Sequence, residues 1–150
     1  MKPDVLGKFD TIVVTTDGSP FSLRAVEVGF KIAKQYKSKL IVVTVVDTGI
    51  IKDFTEAPSR ERERVERELE HNCERTLKEV GAIAKNLAVD VEMIVRRGRP
   101  HIEIIRVADD AEADLIVLAK GGSHRGDRYL MGSTGQRVIE DAECSILIVK

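Results

Sequence analysis

The sequence has few cysteines and histidines, the residues typical of disulfide-rich and metal-binding proteins. Its 150 residues include two cysteines, three histidines and no tryptophan. Cys73 and Cys144 are too few and too unpatterned for a disulfide framework, and no histidine has metal-ligand spacing to another histidine or to a cysteine. We therefore expect two buried or half-buried thiols and no metal site formed by the protein alone.

An excess of charge and a long apolar segment are also missing. Lysine and arginine total 24, aspartate and glutamate total 25, and the formal net charge is -1. This balance gives no electrostatic reason to expect nucleic acid as a partner. No apolar run approaches the ~20 residues of a membrane span, and the first ten residues contain no signal-type apolar stretch. The sequence predicts a cytoplasmic protein without a membrane partner.

What the sequence does contain is a set of short β-branched or apolar runs. Four of them are continuous, which indicates strands covered on both faces: residues 11–16, 40–47, 113–119 and 145–150. A fifth run, residues 89–95, alternates between apolar and polar residues, and this pattern predicts an edge strand with one partly wet face.

Helical periodicities separate these strands. Ser19 followed by Pro20 predicts the start of a first helix, with an apolar stripe at Leu23, Val26, Phe30 and Ala33. A long second helix is predicted over residues 59–87, and the charged run at its start is interpreted as a solvated face.

Two further helices complete the pattern. One follows Pro100, with Ile102 and Ile105 predicted to face inward together with Ala108 or Ala111. The other is predicted from about residue 133 to 142, with Val138 and Ile139 on its buried side. Residues 48–58 are interpreted as one long excursion near the ligand edge.

The alternation of strands and helices predicts an α/β fold with a parallel sheet, formed as one domain over residues 1–150. Right-handed crossovers put helices on both faces of such a sheet, and ligands bind outside the carboxyl ends of its strands. The segments TTDGSP, VVDTG and LAKGG leave their strands at that edge.

The segment AKGGSHRGDRYLMGST, residues 119–134, holds four of the eleven glycines and leads into the last predicted helix. Its glycines either form a tight turn or let an anion such as phosphate approach the main-chain amides at the helix N-terminus. Two further segments keep simpler alternatives. In these alternatives, capping the first helix is the sole role of the turn from Asp17 to Pro20, and capping the last helix is the sole role of Ser133.

The combination of TTDGSP, TVVD and the spacing Gly122-x9-Gly132-Ser133 resembles the universal stress protein family over essentially the whole chain. The ATP-binding members carry G-x-x-G-x9-G-[S/T] at this loop. Ala119 stands at the first glycine position and departs from the pattern, and Gly121 could compensate for it. The resemblance implies strand order 3-2-1-4-5 in a Rossmann-like three-layer sandwich of the adenine nucleotide alpha hydrolase-like type.

The resemblance also implies a nucleotide site. Asp17 matches an acid near the adenosine end, the main chain of Val45 matches the adenine contact, and Leu118 and Ala119 would line the base and ribose. Arg125 is a further candidate for the phosphate side, on the grounds of its charge. The complete predicted set is Thr15, Thr16, Asp17, Val45, Leu118, Ala119, Gly122, Arg125, Gly132, Ser133 and Thr134.

Three functions remain open at this point. The first is a regulatory stress-response module that binds ATP or another adenine nucleotide, together with Mg²⁺ or Mn²⁺. The second is a nucleotide-free dimeric interaction domain. The third is a slow nucleotide hydrolase, although the sequence has neither a P-loop lysine nor a positioned general base.

A homodimer is expected in addition. The apolar segment from Ser145 to Lys150 would lie on an exposed sheet edge, whose unpaired backbone groups favour pairing with another strand. The family resemblance implies antiparallel pairing of this strand between two chains, centred near Leu147 and Val149.

Overall fold

The computed structural model describes residues 9–121 and 131–150. Five strands and five helices follow one another within these residues. The strands are β1 (Thr11–Thr15), β2 (Lys39–Asp47), β3 (Glu92–Gly98), β4 (Leu115–Ala119) and β5 (Ser145–Val149). The helices are α1 (Pro20–Tyr36), α2 (Thr48–Asp53), α3 (Ser59–Leu87), α4 (Pro100–Asp110) and α5 (Ser133–Asp141).

The strands form one parallel sheet in the order β3-β2-β1-β4-β5. Its centre is the β-branched strand β1, in which Ile12 stands opposite Leu40 of β2 on one side and Leu115 of β4 on the other. The predicted α/β class, strand order and parallel pairing are confirmed.

Two hydrophobic cores lie on the two faces of the sheet, because successive strand residues point to opposite faces. Ile12 and Val14 face the α1–α3 side, where Phe30 and Val80 are fully buried. Val13 faces the α4–α5 side. That second core is completed by Ile104, Val107 and Val138 among others.

Two of the predicted helices have the expected boundaries. Ser19 caps α1 through a 3.3 Å hydrogen bond from the Ser22 amide, and Pro20 is its first residue. Helix α3 extends over Ser59–Leu87, as predicted. Within the part of the chain that the structure describes, no helix is long and apolar enough to cross a membrane.

The third strand differs from its predicted position. It extends over Glu92–Gly98 rather than residues 89–95, and it lies at an edge of the sheet as expected. Val89 and Val91 do contact the α1–α3 core, but they precede the ladder with β2. On an edge strand the ladder continues through solvated charged residues, so the apolar pattern marks the contact with the core and not the strand ends.

The inward faces of α4 and α5 also differ from prediction. Ile104, Val107 and Ala108 are buried in α4, while Ile102 and Ile105 are half-buried. In α5, Val138 is fully buried, whereas Ile139 is 41% exposed. Short helices rich in apolar residues allow several stripes at spacings of three and four, and packing against the sheet selects one of them.

The predicted excursion over residues 48–58 is partly helical. The carboxylate of Asp47 accepts a 2.8 Å hydrogen bond from the Gly49 amide and caps the six-residue helix α2. Turns at Phe54 and Thr55 then lead to α3. The interpretation as one long excursion did not anticipate this helix in its first half.

Candidate functional site

A cavity of about 470 Å³ lies at the carboxyl ends of β1, β2 and β4, next to the start of α5. This volume falls in the range of roughly 300–1,000 Å³ that is typical of small-molecule sites. The position is the point where the strand order reverses between β1 and β4, which is where open parallel sheets bind ligands.

Nine of the eleven residues predicted from the sequence line this cavity. They are Thr15, Thr16, Asp17, Val45, Leu118, Ala119, Gly132, Ser133 and Thr134. The other two, Gly122 and Arg125, lie outside the described residues. Residues that are up to 119 positions apart in the sequence are therefore brought to one cavity by the order of the strands.

The turn between β1 and α1 is held by its own polar side chains. The Asp17 carboxylate accepts hydrogen bonds from the Ser19 amide at 2.9 Å and from the Ser22 hydroxyl at 2.8 Å. The buried Thr16 hydroxyl lies 2.8 Å from the Ser22 hydroxyl and accepts a bond from the Gly18 amide. This network fixes the exposed Asp17 carboxylate at the cavity wall.

Val45 presents its main chain to the cavity because β1 ends early. The Val43 carbonyl accepts a 3.1 Å hydrogen bond from the Thr16 amide, so the polar groups of Val43 point toward β1. Two residues further along β2, the N–H and C=O of Val45 point toward the same side. At that level β1 has already ended at Thr15, and a ligand can take the place of the next strand residue.

At the opposite wall, no described side chain caps the first backbone amides of α5. Its N-cap residue is Gly132 rather than Ser133, with φ -62° and ψ 154°, and no side chain within the described residues caps it. The alternative role of Ser133 as the N-cap is therefore wrong. The first amides of a helix have no intrahelical partners, so this end offers donors and a partial positive charge to the cavity.

Ala119 does not require the conformation of a glycine. It is the last residue of β4, in register with Val149, and positive φ among the described non-glycine residues occurs only at Lys37, Ala88 and Glu112. Gly121 has no positive φ either. The departure from the family pattern at Ala119 thus adds a methyl group at the cavity without straining the backbone.

Helix α3 contributes a wall that the sequence did not predict. Leu69, Asn72 and Cys73 line the cavity, and the Asn72 side-chain amide donates to the Asp17 carbonyl at 3.4 Å. The helix has 29 residues, and its periodicity does not reveal which turn reaches the sheet edge. Ile50, Pro100 and Lys120 were missed as well, although Lys120 directly follows a predicted residue.

The thiol in this wall is not a ready nucleophile. Burial raises the pKa of Cys73, the charge of Glu70 raises it further, and a hydrogen bond from Thr44 lowers it. The net effect keeps the thiol protonated, whereas a nucleophilic cysteine needs a lowered pKa. Within residues 9–121 and 131–150, no three histidine, cysteine or carboxylate side chains form a group that could hold a metal ion.

Comparison with known proteins gives consistent results. The family model described as the universal stress protein family matches residues 8–150. A universal stress protein from Methanocaldococcus jannaschii is 33% identical over 143 residues, which cover 95% of this chain and 82% of that protein.

Solved structures agree with the fold. The universal stress protein UspA from Lactobacillus plantarum superposes with a TM-score of 0.81 at 21% identity, covering 96% of this chain and 99% of that one. A universal stress protein solved in complex with cAMP has a TM-score of 0.70 and 28% identity, and the match covers 96% of this chain and 98% of that one.

Proposed function

The chain belongs to the universal stress protein family, and we propose that it is a cytosolic regulatory protein that binds an adenine nucleotide, with ATP as the expected ligand. The observation that carries the proposal is the convergence of nine predicted nucleotide contacts on one cavity. The related protein in complex with cAMP supports the choice of an adenine nucleotide.

The two ends of the cavity suit the two ends of such a ligand. The Val45 main chain and the Asp17 carboxylate offer hydrogen bonds to the adenine edge and the ribose hydroxyls. The start of α5 at Gly132 and Ser133 offers amides to the phosphates. Leu118 and Val138 add apolar surface between the two ends.

Mg²⁺ or Mn²⁺ would enter together with the nucleotide. The described residues include no three-ligand cluster, and Asp47 brings a carboxylate to the cavity wall. Mg²⁺ commonly binds through substrate phosphates and water with one or two carboxylates. The residues present fit that arrangement, with the nucleotide as the main source of ligands.

We further propose a homodimer through β5. Because β5 is an edge strand paired to β4, its outer backbone groups are available to a second chain. Ile148 is 38% exposed there. Sedimentation at micromolar concentration should give a dimer, and Ile148→Lys should shift it toward monomer. A wild-type monomer would contradict the proposal.

Binding is tested by calorimetric titration of protein freed of small molecules, using ATP and adenosine. Asp17→Asn keeps an oxygen that can accept from Ser19 and Ser22 but removes the charge. We expect it to weaken both ligands about tenfold, as for loss of one charged hydrogen bond. Glu27→Gln, an exposed carboxylate on α1 away from the cavity, is the matched control.

The same preparation distinguishes the alternatives. Absence of binding at millimolar ATP with Mg²⁺ would favour the nucleotide-free interaction domain, especially if the protein is a dimer. Mass spectrometry of molecules released on denaturation identifies any ligand retained through purification. A steady-state ATPase assay, with Asp17→Asn alongside, tests the slow hydrolase.

A further inference from the structure

The sheet has a second open edge, which is formed by β3. Among the described strands, β3 pairs with β2 and has no strand on its outer side. Two of its apolar side chains are exposed, Met93 to 42% and Val95 to 43%. A seven-residue edge strand with exposed apolar side chains is a place where another strand can pair.

The backbone of Met93 and Val95 points to this open edge. The Val43 carbonyl accepts from the Thr16 amide, so the polar groups of Val43 point to β1 and those of Val42 point to β3. Val42 is in register with Met93, and in a parallel ladder it bonds the residues on either side of that partner. The N–H and C=O of Met93 therefore point away from β2, as do those of Val95.

The side chains of β3 divide between the two faces of the sheet. Ile94 packs against the core on the α4–α5 side, so Glu92 and Arg96 share that face, and the two exposed apolar residues occupy the other. Glu92 forms an exposed 3.2 Å ion pair with Lys39. Arg96 has no ion pair within residues 9–121 and 131–150.

The segment EMIVR, residues 92–96, is complementary to itself in the antiparallel direction. When two copies meet about a two-fold axis at Ile94, Glu92 of each copy lies opposite Arg96 of the other. Met93 then lies opposite Val95 at the hydrogen-bonded positions, because the backbone of both points outward. Opposite charges and apolar side chains that face each other across a ladder stabilise it.

Other registers do not give this match. Opposed residues must lie on the same face, so the two-fold axis passes through a residue. An axis at Val95 places Arg96 opposite Ile94, and an axis at Met93 places Glu92 opposite Ile94. Either shift sets a charge against an apolar side chain and separates both charge pairs.

We propose that β3 is an interface for a second copy of this chain, which pairs antiparallel through residues 92–96 about a two-fold axis at Ile94. Such an interface is isologous, so each complementary pair occurs twice. It lies at the edge of the sheet opposite to β5 and requires no nucleotide. A chain that pairs at both edges extends the sheet from one copy to the next.

Disulfide trapping tests the register. Ile94→Cys and Met93→Cys are made separately in the full chain carrying Cys73→Ser and Cys144→Ser, and both are oxidised at the same protein concentration. In the proposed register the two Ile94 Cα atoms lie about 4.5 Å apart, within reach of a disulfide, whereas the two Met93 residues are diagonal neighbours about 7–8 Å apart.

We expect Ile94→Cys to give at least about fivefold more covalent dimer on a non-reducing gel, because only its pair lies within disulfide distance. Random collision would favour Met93→Cys, since Met93 is the more exposed side chain. An equal or smaller yield from Ile94→Cys would overturn the proposal.

Charge reversal tests the same pairing with the apolar side chains unchanged. The variants are made in an Ile148→Lys chain, which opposes pairing at β5. Glu92→Arg or Arg96→Glu alone places like charges opposite each other twice, so each should self-associate at least about tenfold more weakly in sedimentation. Arg24→Glu makes the same charge change as Arg96→Glu on an exposed part of α1 and should change nothing.

A one-to-one mixture of the two charge variants restores opposite charges at both positions. We expect the mixture to associate about as tightly as the Ile148→Lys chain that keeps Glu92 and Arg96. A mixture that associates no better than either variant alone would overturn the proposal. So would an Ile148→Lys chain that stays monomeric at about 1 mM protein.

Discussion

Two strand-to-helix junctions form opposite walls of the cavity, and they differ in how their polar groups are satisfied. At the β1–α1 junction, Ser19 caps the helix while Asp17 and Thr16 hold the turn. At the β4–α5 junction, the cap is Gly132 and no described side chain closes it. Both junctions contain a Gly-Ser pair in the sequence, at residues 18–19 and 132–133.

The difference in capping distinguishes a helix end that contributes to stability from one whose amides remain available for binding. A helix end whose amides are bonded to its own side chains contributes to folding and presents a fixed carboxylate to a ligand. A helix end without such a cap keeps its donors available, at some cost in local stability. We infer that the first junction positions the nucleoside end and that the second recognises the phosphates.

The largest expected effect is on folding, at the β1–α1 junction, where a serine side chain caps the helix. Gly18 has φ +83°, and a Cβ there would lie 2.4 Å from the Thr76 hydroxyl oxygen, which is held by its bond to the Asn72 carbonyl. Gly18→Ala should therefore lower the free energy of unfolding by about 2–4 kcal/mol. Urea denaturation is the measurement.

Gly81→Ala provides the matched control for that experiment. Gly81 lies within α3, and a Cβ there would meet no atom within 4 Å. It should raise stability by about 0.5–1 kcal/mol, because glycine is a poor helix former. Equal effects at positions 18 and 81 would contradict the importance of the closed turn.

The next effect is on ligand binding, at the β4–α5 junction, where no described side chain caps the helix. A Cβ on Gly132 would meet no described atom within 4 Å, and its extended backbone is accessible to any residue. Gly132→Val should leave folding largely intact but hinder phosphate approach, weakening ATP at least tenfold, or about 1.4 kcal/mol. Adenosine should change much less in calorimetric titration. A parallel loss of adenosine would argue against a phosphate-specific role.

A pair of serine variants tests the caps directly. Ser19→Ala should cost about 1 kcal/mol of stability, because the Ser22 amide loses its acceptor. Ser133→Ala should cost far less, because Ser133 is the first helical residue and Gly132 is the cap. Thermal and urea unfolding of both variants decide the matter. Similar losses would mean that the two junctions are equivalent.

The smallest effect concerns the thiol of Cys73, which lines the cavity from α3. In a Cys144→Ser variant, Cys73 is the remaining thiol, 5% exposed and with a raised pKa. A raised pKa lowers the thiolate fraction at pH 8 below that of a free thiol, so labelling should be slow and should accelerate as the pH rises above 9.

Bound nucleotide should slow that labelling further, by about threefold or more, because Cys73 lines the cavity. Thiol-reagent kinetics with and without ATP measure the effect. GTP at the same concentration serves as the control for ionic strength. If ATP does not change the labelling rate of Cys73, the nucleotide binds outside this cavity.

The elements of this fold could be predicted from the sequence because their signals are local. The continuous β-branched runs marked β1, β2, β4 and β5 to within about two residues, and Ser19-Pro20 marked the start of α1. The strand order was available only through the family resemblance. Edge strand β3 was misplaced by three residues because solvated residues pair through their backbone without an apolar pattern.

The residues of the candidate site also differ in whether the sequence identifies them. Residues that follow strand ends, such as Asp17 and Ser133, are identifiable because parallel strands bring their carboxyl ends to one edge. Asn72 and Cys73 were not assigned to the site, because their approach depends on how α3 crosses the sheet. The sequence by itself determined the α/β class and the polar edge of the sheet, through local periodicity and turn chemistry. Only the tertiary structure decided, among the described residues, which helix end lacks a side-chain cap and which part of α3 lines the cavity, because both depend on contacts between residues distant in the chain.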